Sequence, residues 1–211
     1  MKKHLVAVAI VAAFGASAAQ AMPIIVPIDD FNSGDQFLST NTVGVVATST
    51  NAIRTLTTVL LAGTNPISSS AEVSFGVLTV TNGSGERSRV TISWTLAANL
   101  VPLSALGTQF LFEIVDSDGN PTTVDFLLGA TPIASFLIPG NTSNSLLGFS
   151  ISPTLLAPGG TLQAVLNGAA GWDLSLDALG VRYTSVPEPA SLALLGIGLI
   201  GLAAARRRKS A

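Results

Sequence analysis

The sequence predicts an all-β fold, an antiparallel β-sandwich, and three observations carry that expectation. Short apolar runs alternate with polar residues at a period of two, the spacing that puts one face of a strand in a core. Clusters of Gly, Pro, Asn and Asp punctuate the runs as turns do. No stretch between Met22 and Pro187 combines a helical apolar period with capping residues.

The chain begins with Lys2, Lys3 and His4, an apolar run from Leu5 to Ala16, and Ala19-Gln20-Ala21. A basic start, a short apolar stretch and an A-x-A site describe a secretory signal peptide. Residues 1–21 are therefore expected to be removed by signal peptidase, and an uncleaved N-terminal anchor would need a longer apolar run.

Residues 22–185 have the length of one domain. Within it Val90, Ile92, Trp94 and Leu96 alternate with Arg89, Thr91, Ser93 and Thr95. Phe110, Phe112 and Ile114 repeat the pattern, as do Val124, Phe126 and Leu128, and Leu174, Leu176 and Ala178. Turns are expected at Asn82–Gly85, Asp118–Pro121, Pro139–Asn141 and Pro158–Gly160. The turn at 118–121 reads as a hairpin joining strands at 110–115 and 122–128. Strands of this length suggest jelly-roll-like connections.

Charge and missing residues exclude much. The whole chain has 10 basic and 12 acidic residues, but six of the basic ones lie at positions 2, 3 and 206–209. The domain keeps four arginines against eleven acids, a net charge of −7, so no nucleic-acid partner is expected. It has no Cys, Lys or His. That removes disulfides, Cys/His zinc sites, Ser-His-Asp triads and Schiff-base lysines. Only carboxylates remain for catalysis, and Glu72, Glu86 and Glu113 show no pairing in the sequence. The domain is expected not to be an enzyme.

Two acidic groups invite calcium, the one cofactor worth considering. Asp116-Ser117-Asp118-Gly119-Asn120 has oxygen ligands at alternate positions, but Asp125 stands where a calcium loop needs a bidentate glutamate. Ile28-Asp29-Asp30-Phe31 and Trp172-Asp173-Leu174-Ser175-Leu176-Asp177 resemble the first and last strands of carbohydrate-binding-module-like jelly rolls, with Ala178 where an asparagine is common. That resemblance implies that the first and last strands lie together and that Asp29, Asp30 and Asp177 are candidate calcium ligands. Trp172, after Gly171 in a turn, is the candidate for stacking on a sugar. Thr-x-Thr pairs at 40/42, 48/50, 55/57 and 79/81 invite an ice-binding reading. Threonine is, however, an ordinary residue of solvent-facing strand surfaces, and no fixed repeat aligns these pairs.

The chain ends in three parts: Pro187-Glu188-Pro189, an uncharged run from Ala190 to Ala205, and Arg206, Arg207, Arg208 and Lys209. The prolines hold an extended, readable peptide. The run reads as a transmembrane helix of about 24 Å, short for a hydrocarbon core of about 30 Å. The basic cluster would keep its end in the cytoplasm. Residues 186–211 resemble the PEP-CTERM sorting domain, also labelled an ice-binding-protein C-terminal domain. The resemblance implies a Gram-negative bacterial protein, recognition by an exosortase, and passage from a transient inner-membrane anchor to the cell surface or exopolysaccharide matrix.

The expected function is an exported structural or interaction protein. The alternative is a carbohydrate-binding module of the matrix, with ice binding or hydrolysis behind it.

Overall fold

The alternation of β7 (Arg87–Leu96) shows how these residues become a sheet. Val90, Ile92, Trp94 and Leu96 are buried while Arg89 and Thr95 face solvent, so one strand lays a complete apolar row on the core. The computed structural model describes residues 21–47, 52–64 and 69–185 together with Gly196 and Gly198. The signal peptide and the sorting motif, apolar run and basic cluster lie outside the described residues, apart from Ala21 and those two glycines, which are helical. Among the described residues no helix is long and apolar enough to cross a membrane. Pro23–Thr184 forms one compact unit.

The described strands are β1 (Pro23–Asp29), β2 (Gln36–Ser39), β3 (Val43–Ala47), β4 (Ala52–Ala62), β5 (Ser70–Ser74), β6 (Val77–Thr81) and β7. There follow β8 (Leu106–Ser117), β9 (Thr122–Leu128), β10 (Thr131–Ile138), β11 (Ser143–Ser150), β12 (Gly160–Gly168) and β13 (Leu174–Thr184). One helical turn, α1 (Pro153–Leu156), precedes β12; Ser152 caps it and Pro153 opens it.

Two antiparallel sheets face each other across one core. The first runs β11-β8-β13-β6-β5-β2, with β1 also on β13; the second runs β10-β9-β12-β7-β4-β3. β13 organises the first sheet. Its first half pairs with β6 (Leu174 opposite Val80) and its second half with β1 (Thr184 opposite Pro23), while β8 lies along its other edge. The first and last strands are thus neighbours, as the resemblance of their sequences to jelly-roll ends implies. The core is apolar on both inner faces except for a few buried polar groups, and at the β10/β11 side Phe112, Phe126, Phe136 and Phe149 close it with ring centroids 5.0–6.3 Å apart.

Two local expectations are corrected. Ala178, expected inward, is exposed, because the pairing of β13 slips between Leu176 and Leu179 and the buried phase resumes at Leu179, Val181 and Tyr183. The turn at 118–121 does not make a hairpin. β8 and β9 belong to different sheets, so this turn carries the chain across the sandwich.

The β5–β6 hairpin turns on Phe75-Gly76, with φ of 51° and 82°. Gly76 tolerates that conformation and packs its bare Cα against the Asn32 side chain. Phe75 is 99% exposed and gains nothing in return for a left-handed backbone. Phe75→Asn is therefore expected to stabilise the fold by about 1 kcal/mol, read as a raised denaturation midpoint in urea.

Candidate functional site

The alternation of β4 puts Arg54 in phase with Leu56 and aims its charge into the sandwich. Arg54 and Asp29 are both fully buried. Nη1 of Arg54 donates to both carboxylate oxygens of Asp29 at 2.9 Å. Nε donates to Gln36 Oε1 at 3.2 Å, and Nη2 to the carbonyls of Ser33 and Gly34 at 3.1 and 2.9 Å. The guanidinium also lies 5.4 Å from the Phe31 ring centroid. Asp29 accepts in addition from the Phe31 N–H at 3.0 Å and from Trp94 Nε1 at 2.8 Å. Each polar atom of the pair has a partner, the condition under which a buried ion pair is tolerated.

This network corrects the calcium reading of Asp29. Its carboxylate is committed to an arginine, whose charge takes the place a cation would fill. Asp30 accepts from the Asn32 N–H at 3.2 Å and Asp177 from the Ala178 N–H at 2.6 Å. Asp29 sits opposite Leu179 in the ladder, so the two strand ends do meet. Among the described residues no group of three acidic or other metal-binding side chains is placed to hold a metal ion.

Trp172 is corrected too. It is fully buried, its Nε1 donates to the Ser88 carbonyl at 3.1 Å, and it offers no face to a sugar. Gly168 lies against it, where a Cβ would come within 2.5 Å of the indole.

Next to Trp172 lies a second polar knot. Asp118 Oδ1 accepts from the N–H groups of Asn120 and Asp173, both at 3.1 Å, and Oδ2 accepts from Asn120 Nδ2 at 2.7 Å. Asp173 accepts from the Asn82 N–H at 2.7 Å, and Asn82 Nδ2 donates to the Trp172 carbonyl at 2.5 Å. Burial pushes the Asp173 carboxyl above its usual range; the Asn82 N–H opposes this and the Asp118 charge adds to it. Asp118 of the 116–120 motif thus spends both its oxygens on turning the chain between sheets.

The carboxylates considered for catalysis are dispersed. Glu72 on β5 and Glu113 on β8 are separated by β6 and β13, a lateral distance of about 14 Å, beyond the span used by glycosidase pairs. Glu86 is buried and accepts from Ser69 Oγ at 3.0 Å. On the outer face of the second sheet an open groove of about 610 Å³ is lined by Asp125, Leu127, Pro132, Ile133, Ser135 and Val165. Its one charged group, Asp125, accepts from Ser135 Oγ at 2.5 Å.

Among solved structures, the active domain of bacteriophage CBA120 tailspike protein 4 is 13% identical over 75% of this chain, with a TM-score of 0.38; the match spans only 21% of the tailspike chain. A carbohydrate-binding module, TmCBM61, solved with β-1,4-galactotriose, is 10% identical over 76% of this chain and 92% of its own, with a TM-score of 0.38. A family 35 carbohydrate-binding module from Clostridium thermocellum is 10% identical over 76% of this chain and 98% of its own, at 0.34. No curated protein matches the chain. One family model does match. Residues 185–209 fit the PEP-CTERM protein-sorting motif, the segment in which Pro187, Glu188, Pro189, the uncharged run and the arginines follow one another, so this is a protein carrying a PEP-CTERM sorting motif.

Proposed function

We propose that the chain is an exported structural or interaction protein whose β-sandwich is carried to the cell surface or extracellular matrix through its C-terminal sorting motif. The observation that supports this most is adjacency. The motif begins at Ser185, the residue after the last residue of β13, so cargo and signal meet without an intervening segment. The inventory of the domain points the same way: its best-formed polar constellations hold the fold together, and among the described residues the open groove on the second sheet carries a single carboxylate, Asp125, already bonded to Ser135.

In this reading residues 1–21 open the export route and are removed by signal peptidase. Residues 190–205 then hold the chain in the inner membrane, with Arg206, Arg207, Arg208 and Lys209 as the cytoplasmic stop. An exosortase reads Pro187-Glu188-Pro189 on the outer side. The glycan-binding alternative loses the side chain chosen to carry it, because Trp172 is buried.

Intact-mass spectrometry of the protein recovered from its host tests the proposal. The expected result is a chain lacking the C-terminal basic cluster when the exosortase is present, and a chain retaining it when the enzyme is deleted or Glu188 is replaced by alanine. An intact C-terminus in every strain would reduce the tail to a simple anchor.

A further inference from the structure

Among the described residues four strands end the two sheet orders, β2 and β11 on one sheet and β3 and β10 on the other. None contains a charged residue, although charges occur on β4, β5, β7, β8, β9 and β13. Free edges are ordinarily guarded against pairing by charge, proline, bulges or brevity. β2 and β3 are brief, with four and five residues, and β10 carries Pro132 and a register shift at its start. β1, which leaves part of an edge open, carries Pro23 and Pro27. β11 has none of these guards. It has eight residues without charge or proline, and from Ser145 to Ser150 it runs regularly against β8, the one irregularity being Asn144 near its start, with a φ of 48° and no partner in the ladder.

Its hydrogen-bonding phase identifies the free groups. Ile151 N–H, one residue beyond the strand, donates to the Thr108 carbonyl at 3.0 Å. Alternation in an antiparallel ladder then turns Phe149 and Leu147 toward β8 and leaves the N–H and C=O groups of Leu146, Gly148 and Ser150 facing outward. The chemistry that satisfies a row of alternate backbone donors and acceptors is another extended strand.

The side chains on that strand select which one. Leu146 is 63% exposed, and Gly148 beside it has no side chain; a Cβ there would strike the Phe110 carbonyl at 2.7 Å. If β11 is laid antiparallel on a second β11 about Leu147, Leu146 faces the gap over Gly148 of the other copy, and both residues present free backbone groups. The seam also brings no like charges into direct opposition, which matters for two domains of net charge −7.

We propose that two copies of this chain associate through β11, pairing antiparallel with Leu147 on the two-fold axis, so that the β11-containing sheets of the two copies become one. Such an isologous contact closes as a dimer. It rests on the fold alone and stands or falls separately from tail processing.

Sedimentation equilibrium of the exported chain tests it. The expected result is a reversible dimer at micromolar concentrations that tightens as salt screens the acidic domains. Leu146→Lys and, independently, Ser150→Lys are expected to weaken it at least about tenfold while circular dichroism and melting temperature stay unchanged. Because the chain has no cysteine, Leu147→Cys reports the register: its non-hydrogen-bonded position brings the two sulfurs within bonding reach. Oxidation should therefore give a covalent dimer, and Leu103→Cys, exposed on a loop, should not. A wild-type monomer at every concentration would overturn the proposal. So would a dimer unaffected by both lysine variants, a strand of a different protein bound at β11 by a chain that does not self-associate, or equal cross-linking at positions 147 and 103.

Discussion

Arg54→Ala is expected to lower the unfolding free energy by about 3–5 kcal/mol, and the melting temperature by about 10 °C or more for a domain of this size. Removing the guanidinium leaves the Asp29 carboxylate fully buried with only the Phe31 N–H and Trp94 Nε1 to hold it. It also orphans the carbonyls of Ser33 and Gly34 and the amide oxygen of Gln36. Arg54→Met restores apolar volume but not the charge, so it should recover little. Replacing both members, Asp29→Leu with Arg54→Met, should recover a large part of the loss, because the isolated charge is gone. Urea unfolding of the four proteins is the measurement. A loss below about 1 kcal/mol in Arg54→Ala, the scale of an exposed pair, would show that the network does not act as a buried charge pair.

Trp172→Ala is expected to cost about 3–5 kcal/mol. The indole is fully buried, and Gly168 lies where any side chain would collide with it. The site is thus shaped around this ring, and β12 and the Asn82 turn are not expected to collapse into the void. Trp172→Phe separates the two contributions. It keeps most of the packing and strands the Ser88 carbonyl, a loss of about 1–3 kcal/mol. Equal destabilisation by both substitutions, read from denaturation midpoints, would place the whole effect in the hydrogen bond.

Both residues mark the limits of reading this sequence unaided. The strands at 90–96, 110–114 and 124–128 were legible because alternation reports one buried face, and every inward residue there is apolar. Arg54 breaks that rule in the direction hardest to see. A lone arginine in a strand reads as a solvent-facing residue, and its burial depends on Asp29, which lies 25 positions away. The clue was its phase, two residues before Leu56 on the same face. Asp29 and Asp30 look alike in the chain, yet one is in the core and the other at its border. Trp172 follows a glycine in a turn, a local setting shared by exposed and buried aromatics alike. The turn at 118–121 was legible as a turn; its passage between sheets was not, because turn chemistry fixes a local bend and leaves the partner strand open.

The position of β13 has a consequence for export. The first sheet cannot close without this strand, since β8, β6 and β1 all pair with it. It is also the last strand before the sorting motif. A chain crossing a membrane amino end first therefore withholds the central strand of its own sheet until the domain has almost wholly emerged. Up to then β1 lacks its strand partner and the first sheet stays in two pieces, β11-β8 and β6-β5-β2, whose joining is a long-range step. Completion of the first sheet is therefore expected to wait for the C-terminal end of the domain.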